Sequence, residues 1–213
     1  MIWGKIVALL IFPILAFSAS AQLVDPDLAL KKLIEGNTRY LTEATIDQEN
    51  LAQKREETLD GQAPFAVIVG CSDSRVPPNI IFDQSIGDLF VVRVAGNVIG
   101  PIELDSIEFS CDKLQVPLVV VLGHQNCGAV EAVISGNGEK DIAEIAPYIQ
   151  KAVKETQDEP GDRVTNATKA NVQNCVKNLK KSRIMTALLK AKKLKIVAAY
   201  YDLQSGQVEI LPS

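Results

Sequence analysis

Phe65-Ala66-Val67-Ile68-Val69-Gly70 runs straight into Cys71-Ser72-Asp73-Ser74-Arg75, and Pro117-Leu118-Val119-Val120-Val121-Leu122-Gly123 runs into His124-Gln125-Asn126-Cys127. Each apolar run has the length and β-branched content of a strand covered on both faces, the pattern of a parallel sheet flanked by helices. In open α/β sheets the ligand site lies just beyond the carboxyl ends of the strands. Neighbouring strands would therefore bring both polar loops to one edge, with two thiols, an imidazole and a carboxylate together. The fold class expected is α/β, with about four parallel strands, a C-terminal edge strand and flanking helices.

Working outward, Asp88-Leu89-Phe90-Val91-Val92-Arg93-Val94 reads as a further strand, and Leu194 to Tyr201 with Gln207 to Leu211 as a strand and its hairpin partner around Gly206. Pro26, Pro77-Pro78, Pro101 and Gly128 mark helix starts. Leu30, Leu33, Ile34 and Leu41 predict the buried face of the first helix, and a second helix is expected from about Asp47 to Leu59. From Glu139 to Lys193 the chain reads as helical scaffold broken at Pro160-Gly161, with no chemistry of its own. No linker or repeat divides residues 22–213, so a single domain is expected.

The 213 residues carry a net charge of −4 and a pI near 5.1, which argues against nucleic acid or an anionic membrane surface as partner. The lysines crowded between Lys177 and Lys195 read as a solvated face. At the amino end, Lys5, the apolar run Ile6 to Phe17 and the small residues Ala19-Ser20-Ala21 have the form of a secretory signal peptide. That run is short for a membrane span, although an uncleaved anchor is the alternative. The expectation is a mature chain from Gln22, exported to the periplasm without stable membrane insertion. In an oxidising compartment Cys111 and Cys175 either pair or stay as buried thiols.

Cys71, His124 and Cys127 form a Cys2His set suited to zinc, with a fourth position left for water or substrate. The three-residue step from His124 to Cys127 lets one glycine-flanked loop or helix start supply two ligands. Asp73 and Arg75, two apart in an irregular loop, can fold into contact, either as an ordinary ion pair or as one in which Arg75 holds the carboxylate off the metal and fixes it as an acceptor. Released from Arg75, Asp73 would itself be a fourth ligand and close the site.

Taken together, Cys71-Ser72-Asp73-Ser74-Arg75-Val76, Gly87-Asp88-Leu89-Phe90-Val91-Val92-Arg93 and Gly123-His124-Gln125-Asn126-Cys127-Gly128 resemble the β-class carbonic anhydrases in order and spacing, over about Gln62 to Ile134. The resemblance implies a zinc enzyme that reversibly hydrates CO2 to bicarbonate and a proton by a zinc-bound hydroxide. It implies Cys71, His124 and Cys127 as zinc ligands and an Asp73-Arg75 dyad that orients and deprotonates the zinc water. Gln62, reaching across a dimer interface, Phe90 in an apolar wall and the Gly128 N–H would contact substrate. A homodimer or homotetramer is implied as well. The run Val94-Ala95-Gly96-Asn97 departs from the family's usual sequence, and glycine at 96 is expected to widen or loosen the pocket wall. With one histidine in the chain, and that one a ligand, no imidazole is left to shuttle the proton. Three other readings use the same residues: a hydrolase of carbon disulfide or carbonyl sulfide, a non-catalytic zinc module closed by Asp73, and a thiol redox protein using Cys71 and Cys127, which lacks the usual CxxC spacing.

Overall fold

The computed structural model describes residues 24–44 and 50–212, so the signal-peptide reading of residues 1–21 lies outside the described residues. The chain runs α1 (Pro26–Leu41), α2 (Leu51–Glu57), β1 (Ala66–Gly70), α3 (Pro78–Ile81), β2 (Leu89–Arg93), α4 (Pro101–Asp112), β3 (Leu118–His124), α5 (Gly128–Ile134), α6 (Gly138–Asp141), α7 (Ala146–Glu155), α8 (Arg163–Leu179), α9 (Arg183–Lys190), β4 (Lys195–Tyr201) and β5 (Val208–Ile210). A 3₁₀ turn, Ala95–Asn97, follows β2. The five strands lie in the order β2-β1-β3-β4-β5, parallel except for β5, as the apolar runs predict. Among the described residues no helix is long and apolar enough to cross a membrane.

The two inner strands explain the sequence pattern. Every residue of β1 and β3 is buried, because helices cover both faces of the sheet. Ala66, Ile68, Leu118, Val120 and Leu122 enter one core layer, and Val67, Val69, Val119 and Val121 enter the other. Helix α8 packs on β3 and β4 with Val172, Val176 and Leu179 in the second layer. Cys111 and Cys175 are free, buried thiols in that same layer.

Helix α1 starts where Asp25 and Pro26 place it, with Asp25 Oδ1 accepting from the N–H groups of Asp27 (2.8 Å) and Leu28 (3.2 Å). Its buried face holds Leu33 as expected, with Leu30 and Ile34 half-buried, but is otherwise made of residues the apolar pattern does not mark. Ala29, Leu33, Gly36 and Asn37 are buried, while Leu41 is exposed. Leucines alone do not reveal this face, because α1 docks by a close glycine contact and a polar clamp. Asn37 donates to the carbonyls of Ile81 (3.1 Å) and Gly206 (3.0 Å) and accepts from Val208 N–H (3.0 Å). Of the expected second helix only Leu51–Glu57 is helical among the described residues, and none of it is buried. The helical stretch after Gly138 is also broken more often than at Pro160-Gly161, with further breaks after Asp141 and Leu179.

Candidate metal centre

Cys71 is the first residue beyond β1, and His124 is the last residue of β3 rather than part of the following loop. The strand extends that far because Gly123 and His124 pair with Tyr200 and Tyr201 of β4, a contact made far along the chain. Register between β1 and β3 aligns Gly70 with Leu122, so both ligands leave the sheet at one edge. The chain then turns through Asn126, which has φ of +52°, and Cys127 stands immediately before α5. The ligand atoms of Cys71, His124 and Cys127 all lie within 4.8 Å of one another, and all three residues are buried.

His124 Nδ1 lies 2.8 Å from the Gln125 carbonyl oxygen. A carbonyl only accepts, so Nδ1 carries the proton and Nε2 keeps its lone pair. Nε2 is buried without a hydrogen-bond partner, an arrangement that is costly unless something else binds there. Two thiols and an unpartnered imidazole nitrogen are the donors a zinc ion prefers, and the site fits that metal.

Backbone groups surround the sulfurs. Cys71 Sγ accepts from the N–H groups of Gly96 (3.3 Å) and Asp73 (3.4 Å). The Cys71 thiol is held low, to about 4, chiefly by its hydrogen bond with Cys127, with those two amides adding to it. Cys127 is pushed upward by the neighbouring Cys71 sulfur and by burial. Without a metal the pair therefore keeps one proton between two sulfurs; a cation between them favours losing it.

Asp73 and Arg75 are in contact, as their spacing allows, and the contact is a fork. Arg75 Nε and backbone N–H donate to Asp73 Oδ1, both at 2.9 Å, and Nη2 donates to Oδ2 at 2.7 Å. This holds the Asp73 carboxyl well below the usual carboxylate range. Oδ2 stands 3.9 Å from His124 Nε2, beside the ligands. Arg75 Nη2 also donates to the Asn126 carbonyl (3.2 Å), joining the two ligand loops.

Arg93, the last residue of β2, braces the first loop by donating to the carbonyls of Cys71 (2.8 Å) and Asp73 (2.5 Å). The sequence signal was present: an arginine closes an otherwise apolar strand. Gly96 does the opposite of loosening a wall. It is buried with φ of +68°, and a Cβ there would come within 2.7 Å of Ile149 Cδ1 and 3.2 Å of Ala129 Cβ. The turn is wedged between α5 and α7, which only the folded chain reveals.

Of the expected substrate residues, Gly128 is at the first position of α5 beside Cys127, where helix geometry leaves its N–H without an intrahelical acceptor. Phe90 is half-buried and packs into the core layer opposite the one holding Cys71 and Cys127. Gln62 is exposed ahead of the amino end of β1, whereas Cys71 follows its carboxyl end. One chain does not bring Phe90 or Gln62 to the thiols.

The family model for carbonic anhydrase matches residues 66–208. The carbonic anhydrase of Mycolicibacterium smegmatis is 38% identical over 198 residues, spanning 87% of this chain and 93% of that protein. Among solved structures, the β-carbonic anhydrase CafA of Aspergillus fumigatus superposes with a TM-score of 0.67 at 28% identity, over 87% of this chain and 89% of that one. Two tetrameric β-carbonic anhydrases from Sordaria macrospora share the fold, with a TM-score of 0.66 at 24% identity over 88% of this chain and 95% of that one.

Proposed function

This chain belongs to the β-carbonic anhydrase family of enzymes, and from that premise we propose that it hydrates CO2 reversibly to bicarbonate and a proton with zinc held by Cys71, His124 and Cys127. The observation that carries the metal assignment is the buried, unpartnered Nε2 of His124 set against two thiols. Zinc bound there supplies a Lewis acid able to make a water lose its proton near neutral pH, behaviour established for carbonic anhydrase zinc in a three-histidine setting.

The chain's own groups supply the rest. Arg75 fixes the Asp73 carboxylate, so Oδ2 is a preorganised acceptor that takes a hydrogen bond from the reacting water and orients it, while a carboxyl held this acidic leaves the proton to solvent. The Gly128 N–H, an orphan donor at a helix start, takes up charge developing on a substrate oxygen. The proton leaves through solvent past Arg75, whose side chain is half exposed, since the single histidine is a ligand. A closed, non-catalytic site would need Asp73 as fourth ligand, and here Arg75 engages both its oxygens.

Gln62 and Phe90 serve the site of a second copy in this reading, in a homodimer or homotetramer. Strand β2 forms one edge of the sheet, and Val91, with Ile102 and Phe109 of α4, is exposed on that side. Residues 1–21 direct export to the periplasm, to be checked by amino-terminal sequencing of the periplasmic fraction.

The deciding experiment is stopped-flow CO2 hydration by residues 22–213 with metal content and light scattering on the same sample. Zinc near one per chain and activity rising with pH are expected, with at least tenfold loss in Asp73→Asn. Zinc present without hydration at any pH overturns the enzymatic reading.

A further inference from the structure

Helix α8, read from its sequence as scaffold, reaches the metal centre through one buried side chain. Asn171 is 1% exposed, and its Nδ2 donates to the Gly96 carbonyl at 2.9 Å. One turn further along α8, Cys175 Sγ donates to the Asn97 carbonyl at 3.6 Å, a longer and weaker contact. Gly96 and Asn97 both have positive φ, +68° and +47°, so the two carbonyls clipped by α8 belong to a left-handed turn. The N–H of Gly96 is one of two backbone donors to Cys71 Sγ.

From this relay we infer that Asn171 is a positioning residue for the metal centre: by holding the Gly96 carbonyl it keeps the Gly96 N–H on Cys71 Sγ and so sets how strongly that sulfur donates to the metal. The inference rests on the zinc reading above. An N–H donor draws charge from a thiolate, which leaves a bound metal more electrophilic and the sulfur less available to protons. Held from both sides of one glycine, the turn has little freedom to rotate. Ile149 and Ala129 fill the space beside Gly96, so the carbonyl bond is the polar part of the clamp. Cut that bond, and the buried carbonyl of the Gly96–Asn97 peptide is left to seek another donor; its rotation, passed through the Gly96 Cα, turns the N–H of the preceding peptide away from the sulfur.

The test uses the full mature chain and the variants Asn171→Leu, of similar size but without a donor, and Asn171→Ala. Thr168→Val is the control. Thr168 lies on the same buried face of α8, and its Oγ1 makes no hydrogen bond among the described residues. Zinc affinity is measured by chelator competition, and cobalt-loaded protein by absorption. Both Asn171 variants are expected to bind zinc 10- to 100-fold more weakly. Their sulfur-to-cobalt charge-transfer band moves to longer wavelength, because a sulfur relieved of a donor is easier to oxidise. The pH of half-maximal hydration rises with it, while Thr168→Val stays within twofold in affinity and keeps its band. Native affinity and an unmoved band in either folded Asn171 variant overturn the inference. Failure of both to fold while Thr168→Val folds also overturns it, since the residue is then merely structural. A native chain that binds no zinc, indistinguishable from Cys127→Ser, instead removes the zinc reading itself.

Discussion

Cys111 and Cys175 show what burial does to a group that has no chemistry to perform. Both are buried thiols in an apolar layer, and burial raises their pKa values to about 11 and about 12. In the unfolded chain they ionise near 9. Folding thus holds a proton that the unfolded chain gives up, so this contribution to stability is complete below pH 9 and is lost as pH rises toward 11 and 12. The loss is on the order of 3 kcal/mol per thiol at its limit. Urea midpoints at pH 8 and pH 11 test this: the native chain should lose more stability than Cys111→Val/Cys175→Val, in which lysine and tyrosine titrations are unchanged. Equal losses would refute it. Asp73 runs in the other sense. Arg75 depresses its pKa, so its ionised form persists across neutral pH and fails only in strong acid. The acid limb of a hydration profile therefore belongs to the metal centre and not to Asp73. Residue types announced these roles; environment sorted them. Four cysteines are chemically identical in the sequence, and only adjacency to Asp73 and His124 marked Cys71 and Cys127 as ligands.

Among the elements, α1 depends on a contact that has no side chain. Gly36 lies mid-helix, where glycine weakens a helix by about 1 kcal/mol relative to alanine. A Cβ there would overlap the Phe82 carbonyl oxygen and lie 2.7 Å from Gln84 Nε2. Gly36→Ala should improve the isolated helix yet lower overall stability by roughly 1–3 kcal/mol through overpacking. Hydrogen exchange is the suitable readout, with protection lost in Pro26–Leu41 and kept in β1 and β3; an unchanged α1 would show that the contact relaxes freely. This also explains where the sequence pattern stops being legible. Strands β1, β2, β3 and β4 were visible because each strand's apolar run carries its own burial signal. The glycine and asparagine contacts of α1 and α8 were not, because Gly36, Asn37 and Asn171 are chosen by what lies opposite them. His124 likewise reads as loop until Tyr200 and Tyr201 are known to lie alongside.

For the molecule as a whole, the α/β class and the zinc-type ligand set follow from the two loops, whereas the strand order comes from folding. The sheet interleaves early and late segments: β1 sits between β2 and β3, while the other side of β3 belongs to β4, which follows four further helices and α9 in the chain. A ribosome delivers these segments in order. Until Lys195–Tyr201 has been made, the fully buried strand β3 presents an open row of amides and carbonyls to its surroundings. Such an edge templates pairing with other chains. A chain ending at Lys190 should therefore collect in the insoluble fraction on expression rather than survive as a smaller domain. Recovery of that fragment as a soluble monomer would show that α8 shields the edge alone. A sheet that cannot close until its last inner strand appears is a built-in delay, and under the export proposed for residues 1–21 that delay would keep the chain unfolded while it is passed to the transport machinery.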